Sequence, residues 1–265
     1  MRLILTLEST CRYAYDLRYH NKLQGFVYSL MRGTEYEGLH DSKGYKFFCF
    51  SNIYPPFDAE PGDSRYLVLS SPDDELIRVF AEALLERERI NVGDMRFILK
   101  EMRVAKPRVG RRVELVTRTP VVLRIPRHRF AEYGIEREHP YVYWRPDISF
   151  DAFLRQLEDN LAKKFRSFTG AELDEGAVFP LFQRFVFKKQ VCNHVLIRER
   201  EVRVFGSLWE FHFSRLTGQQ RELLSFGMDA GFGERNSLGF GFVEIKKMGG
   251  RATPPGSGRQ APSGS

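Results

Sequence analysis

The chain alternates apolar and polar positions at its start and then changes period. In "RLILTLE" (2–8), Leu3, Leu5 and Leu7 fall on one side of a two-residue repeat, which predicts a strand. In "NKLQGFVYSLMRG" (21–33), Leu23, Phe26, Val27, Leu30 and Met31 recur at helical spacing. Asn21 is the expected N-cap of that helix and Gly33 its terminator. "YKFFCFS" (45–51) and "RYLVLSS" (65–71) predict strands, and the Pro-, Gly- and Asp-rich text between them predicts a loop. "SPDDELIRVFAEALLERE" predicts a helix with Ser71 as its cap, then a proline and acidic residues in the first turn. "MRFILKEMRV" (95–104) predicts a closing strand. Strand, helix, strand, strand, helix, strand is the ferredoxin-like order.

The second half repeats the order without repeating residues. A strand over 113–125 breaks at Pro120, and a helix over 149–168 carries Phe150, Phe153, Leu154, Leu157 and Leu161 on one face. Strands follow at 181–189 and 200–213, a helix at 217–231 and a last strand at 239–247. The fold class is therefore α+β, with two tandem ferredoxin-like (βαββαβ) domains of antiparallel strands. The expected division is 1–108, 109–248 and a disordered tail at 249–265, where apolar residues vanish and Gly, Ser and Pro take over.

Charge adds a direction. There are 41 Lys and Arg against 34 Asp and Glu, a net +7. Eleven of the cations, against Glu101 and Glu114 alone, lie between Arg96 and Arg129. A stripe of that kind suits a polyanion such as RNA better than a small anionic metabolite. Arg108, Arg111 and Arg112, at the expected seam, are its candidate RNA contacts. Cys11, Cys49 and Cys192 are far apart, which argues against a thiolate zinc site and a disulfide framework. No apolar run is long enough to span a membrane, so a cytoplasmic protein without a membrane partner is expected.

Three residues stand out chemically. Tyr28 leaves the apolar stripe of the first helix, His40 lies in the loop "GLHDSKGYKFF", and Lys46 opens the next strand. Cleavage of RNA by its own 2′-hydroxyl needs a proton acceptor, a proton donor and a fixed cation. Tyr, His and Lys supply these without a cofactor, and no acidic cluster suggests a pair of metal ions. "GFGERNSLGFGFVEIK" (231–246) raises a separate question, because four glycines there suit either a phosphate-binding turn or a tight return across a sheet.

"YHNKLQGFVY" (19–28), "LHDSKGYKFFCFS" (39–51), "LVTRTPVVLRI" (115–125) and "GFGERNSLGFGFVEI" (231–245) resemble the CRISPR-associated endoribonucleases of the sixth Cas family, in the RAMP superfamily. The resemblance spans about residues 1–247. It implies metal-independent cleavage within CRISPR repeat RNA of the precursor crRNA, leaving a 2′,3′-cyclic phosphate and a 5′-hydroxyl. It implies Tyr28 as base or proton relay, His40 as general acid and Lys46 as charge stabiliser, with the choice of base between Tyr28 and His40 left open. Gly231, Gly233, Gly239 and Gly241 would bring backbone to the RNA or shape the turn, and Arg235 and Asn236 would touch phosphates. Effector-complex subunits are further partners of such proteins, and monomer and homodimer both stay open. The rival reading within the superfamily is a non-catalytic subunit that holds crRNA.

Overall fold

A computed structural model describes residues 1–15, 19–197 and 200–248; the expected disordered tail at 249–265 lies outside them. The first sheet contains β1 (Arg2–Ser9), β2 (Cys49–Phe50), β3 (Ser64–Ser70), β4 (Ile90–Val92) and β5 (Met95–Ala105), in the order β2-β3-β1-β5-β4. All of its pairs are antiparallel. Leu3, Leu5 and Leu7 of β1 are fully buried, as their alternation predicts. They share a core with Leu23, Phe26 and Val27 of α1 (Tyr19–Ser29) and with Leu76, Ile77 and Phe80 of α2 (Asp74–Leu85).

The second sheet contains β6 (Val113–Thr117), β9 (Phe185–Ile197), β10 (Arg200–Phe213) and β11 (Val243–Met248), in the order β11-β6-β10-β9. Between β6 and the helix α3 (Phe150–Thr169) runs an added ribbon, β7 (Arg124–Pro126) with β8 (Tyr141–Tyr143). A short α4 (Glu175–Val178) precedes β9, and α5 (Gly218–Ala230) precedes β11. Each sheet places its first strand between its third and its last, with its second at the edge beyond the third, which is the ferredoxin-like plan twice over. The second core is strongly aromatic: Trp209 stacks on Phe153 at 4.2 Å between ring centroids and packs against Trp144. Stacked pairs of this kind add about 0.5–1.5 kcal/mol beyond the area they bury.

Several local expectations change. α1 is already helical at Tyr19, so Asn21 lies inside its first turn and is not its cap. The side chain of Asn21 instead accepts from the Leu196 amide of β9 at 3.3 Å. Asp73, not Ser71, caps α2, accepting from the amides of Glu75 and Leu76. Ser71 stands two residues back and accepts from the Asp73 amide. The strand expected over 45–51 shrinks to Cys49–Phe50, because Phe47 adopts a left-handed φ of 49° that takes Tyr45 and Lys46 out of the sheet. The last strand starts at Val243 because Gly239 and Gly241, with φ of 86° and 73°, break any extended run before it. The 106–112 segment joins the two sheets. Among the described residues no helix is long and apolar enough to cross a membrane.

The halves also meet directly. Arg2 of β1 donates to the Met228 and Val243 carbonyls at 3.0 and 2.6 Å and lies 3.7 Å from the Asp229 carboxylate. Burial lowers the Arg2 pKa against the pull of Cys49, Asp229 and Glu244, and its guanidinium rests on the Phe242 ring. That latch ties the first strand to the end of α5 and the start of β11.

Candidate nucleic-acid cleavage site

Tyr28 sits on the last turn of α1, half-buried, with its ring edge-on to the buried Phe48 at 5.7 Å. Lys46, displaced from the sheet just before Phe47, donates to the Tyr28 hydroxyl at 3.2 Å and to the His40 carbonyl at 2.7 Å. The second bond closes the loop that carries His40. The His40 imidazole meets the Tyr28 ring edge-on at 4.9 Å. Its Nδ1 lies 2.8 Å from the Asp41 carboxylate. A carboxylate only accepts, so Nδ1 carries the proton in this contact and Nε2 is the ring atom left for other partners. The imidazole is 64 % exposed, so a substrate can reach it. Tyr28, His40 and Lys46, separated along the sequence, thus converge at one place.

Two clefts flank them. One of about 510 Å³ is lined by Asn21, Gln24, Tyr28, Arg32, His40 and Leu196. The other, about 370 Å³, runs between Lys46 and the glycine-rich loop and takes in Arg124, Lys164, Arg235 and Asn236. Lys46, bonded to Tyr28 of the first and lining the second, stands where they meet.

The glycine-rich loop joins α5 to β11. Gly231, Gly233, Gly239 and Gly241 all have positive φ. A Cβ on each would lie 2.5–2.6 Å from Asn236, Val122 and Phe50 for the first three, and 1.9 Å from the Phe232 carbonyl at Gly241. These glycines are demanded by protein packing, which is sufficient reason for them. Asn236 is also occupied internally: its amide donates to the Phe232 and Phe240 carbonyls at 3.1 and 3.0 Å. Arg235 is left-handed at φ 60° and donates to the Tyr143 hydroxyl at 3.2 Å.

The residue that organises the loop is Lys164, for which sequence reasoning made no provision. It is 2 % exposed, and its ammonium donates to the carbonyls of Gly231 and Gly233 and to the Asn236 side chain. Burial drives its pKa down to about 7, opposed only by the fields of Cys49 and Glu234. Lys164 stands three and seven residues after Leu161 and Leu157, so it lies on the apolar face of α3. A lysine on a core stripe was the available signal. His20, buried in α1 beneath Gly239 and Phe240, forms the floor of the loop; burial lowers its pKa and keeps it neutral at pH 7. Arg32, which lines the first cleft, and Arg124, which lines the second, were also missed as site residues.

The basic stripe is not one surface. Lys100, Lys106, Arg118, Arg124 and Arg129 are paired with Glu8, Asp74, Glu244, Glu234 and Asp159. Arg108, Arg111 and Arg112 are exposed. Arg112 lines a separate cleft with Arg184, His212 and Arg215, at the Phe213 end of β10. Leu196, in the Tyr28 cleft, pairs with Glu201 near the other end of β10, about 40 Å away at strand rise.

The family model for the C-terminal part of the CRISPR-associated protein Cas6 matches residues 102–245. The chain is 33% identical over 247 residues to CRISPR-associated endoribonuclease Cas6 2 of Methanocaldococcus jannaschii, covering 92% of this chain and 98% of the relative. It is 34% identical over 254 residues to CRISPR-associated endoribonuclease Cas6 of Haloferax mediterranei, covering 92% and 93%. Its fold matches a solved structure described as a RAMP protein binding different RNA substrates, with a TM-score of 0.68, 19% identity and coverage of 93% and 100%. With the family model over more than half of its length, glycine-rich loop included, and relatives 33% and 34% identical over 92% of it, the chain belongs to the Cas6 family of CRISPR-associated proteins.

Proposed function

We propose that the protein is a metal-independent endoribonuclease that cuts CRISPR repeat RNA of the precursor crRNA at Tyr28, His40 and Lys46. The observation that carries this reading is the Lys46 ammonium on the Tyr28 hydroxyl, with His40 edge-on to the same ring at the mouth of an open cleft. The ribose 2′-oxygen loses its proton and bonds to the adjacent phosphorus. The bond from phosphorus to the 5′-oxygen breaks, and that oxygen takes up a proton. The products are a 2′,3′-cyclic phosphate and a 5′-hydroxyl. The Asp41 contact at Nδ1 orients the ring and leaves Nε2 to face the RNA, as acceptor in the neutral ring or donor in the protonated one, so His40 fits either the base or the acid. The Tyr28 oxygen accepts from Lys46, so its own hydrogen points elsewhere and serves as relay or donor to the leaving oxygen. Lys46 meets the charge that builds on the phosphorane.

The division into units at 1–108 and 109–248 belongs to the same reading, with the cutting residues in the first unit and the glycine-rich loop in the second. RNA contacts are assigned to Arg235 beside Lys46, with Arg108, Arg111 and Arg112 as more distant cations.

End-labelled repeat RNA incubated with the protein in excess EDTA is expected to be cut once per repeat. His40→Ala is expected to slow the cut by about 10²–10⁴ with binding retained. A repeat with 2′-deoxyribose at the cut is expected to stay intact. Tight binding without a cut would instead favour a subunit that holds crRNA, and a cut abolished by EDTA would end the metal-free mechanism.

A further inference from the structure

The ribbon β7–β8 is an addition to the ferredoxin-like plan. A two-stranded ribbon is barely stable alone. Trp144, directly after β8, anchors this one: it is 2 % exposed, its indole donates to the Ser149 carbonyl, and it packs on Phe153 and Trp209. In "YVY", the two-residue repeat turns Tyr141 and Tyr143 to one face while Val142 packs toward the second core.

Tyr141, Val142 and Tyr143 line one wall of a recess of about 780 Å³, larger than either cleft at the candidate site, and Phe205 and Arg124 border the two tyrosines from outside that lining. Tyr141 and Tyr143 meet edge-on at 5.6 Å, and Phe205 of β10 continues the row 6.2 Å from Tyr143. All three rings are half-buried, so part of each remains open. Guanidinium groups lie along them: Arg124 is 4.9 Å from the Tyr141 centroid and Arg145 3.9 Å from that of Phe205. Around the recess Arg137 and Arg145 are balanced by Glu136 and Asp147. A wall that is aromatic and nearly neutral suits a nucleobase, which offers a flat face and a polar edge, better than a phosphate. Arg124 connects this recess to the cutting residues, because it covers Tyr141 and also lines the cleft that holds Lys46. Arg235 makes a second link, from the glycine-rich loop to the Tyr143 hydroxyl.

We propose that Tyr141, Tyr143 and Phe205 form a base-stacking subsite for an unpaired nucleotide of the RNA, reached from Lys46 past Arg124. The subsite rests on the reading of the protein as an RNA-cleaving enzyme. It gives the ribbon a role in choosing where an RNA is cut, through one nucleotide held at a fixed place relative to Lys46.

The test uses the full chain and repeat RNAs carrying 2-aminopurine, or an abasic residue, at one position at a time. Wild-type protein is expected to change the 2-aminopurine emission by stacking at one position. Tyr141→Ala and the bulk-preserving Tyr141→Leu are expected to abolish that signal and weaken binding roughly 5- to 150-fold. Tyr141→Trp is expected to restore both. An abasic residue at the same position should weaken wild-type binding but add nothing to the loss in Tyr141→Leu. The subsite is overturned if Tyr141→Leu binds like wild type, if Trp fails to restore, or if the losses add at every position. Wild type that neither binds nor cuts the repeat would sink the parent reading. Wild type that binds and cuts while Tyr141→Leu is indistinguishable would sink the subsite alone.

Discussion

Lys164 is a buried ammonium with three oxygen acceptors and, among the described residues, no carboxylate in hydrogen-bond contact. Its pKa falls from the ordinary 10.5 to about 7. Between those values the unfolded chain holds a proton that the folded chain has released, so this residue makes stability rise with pH across that window. The slope is at most about 1.4 kcal/mol per pH unit. Urea unfolding of wild type and Lys164→Met at pH 7.5 and pH 9.5 should show the difference moving in favour of wild type at the higher pH. A difference that stays flat would mean that Lys164 carries the same charge folded and unfolded. The neutral amine has two hydrogens for three acceptors, so the loop loses one of its bonds from Lys164 as the proton leaves. His20 acts in the same direction at lower pH: buried neutral, it withdraws stability as pH falls below the ordinary histidine range.

At the scale of elements, the glycine-rich loop is a packed connection whose backbone is committed to its neighbours. Phe232 donates to the Gly241 carbonyl at 2.8 Å, and Gly241 in turn donates to Pro120 at 2.9 Å. Gly241→Ala should cost about 3 kcal/mol, from backbone strain and overlap with the Phe232 carbonyl. In a chain of this size that is a fall of roughly 6–12 °C in Tm, checked by thermal denaturation. Tm within a degree of wild type would show that the loop can reopen. The element order could be read from the sequence because periodicity reports burial, and both sheets bury alternate residues as β1 does. The exceptions have local causes. β4 and β8, with three residues each, are too short to show a period. The strand at Lys46 stops at a left-handed phenylalanine, a conformation that residue type does not announce. Tyr28, His40 and Lys46 could be picked out as candidates because each departs from the pattern around it. Lys164 was hidden because it conforms in position while departing in chemistry, and Arg124 because its role depends on a ribbon the pattern did not reveal.

For the molecule as a whole, net charge is a poor map of where a polyanion lies. About half of the eleven-cation stripe is neutralised by carboxylates, and the exposed remainder includes Arg108, Arg111 and Arg112, with Arg112 far along β10 from the Tyr28 cleft. If one RNA reaches both ends, replacing these three arginines with glutamine should lower the slope of log K against log salt by about 2 for a single strand. An unchanged slope in a salt titration would confine the RNA to the Lys46 and Arg124 end. Arg2 of β1 is held by Asp229 and Met228, so the loop at the end of α5 is carried in register with the first sheet. The loop's glycines also constrain the gene. Any missense change in a glycine codon places a side chain on that residue. At Gly241 and Gly239 the new carbon would strike the Phe232 carbonyl and the Phe50 ring, whereas at Gly25, in the exposed face of α1, it would meet nothing within 4 Å. Mutational drift at the first two is therefore confined to silent third-base changes, while at Gly25, which lines the Tyr28 cleft, packing within the protein sets no such limit.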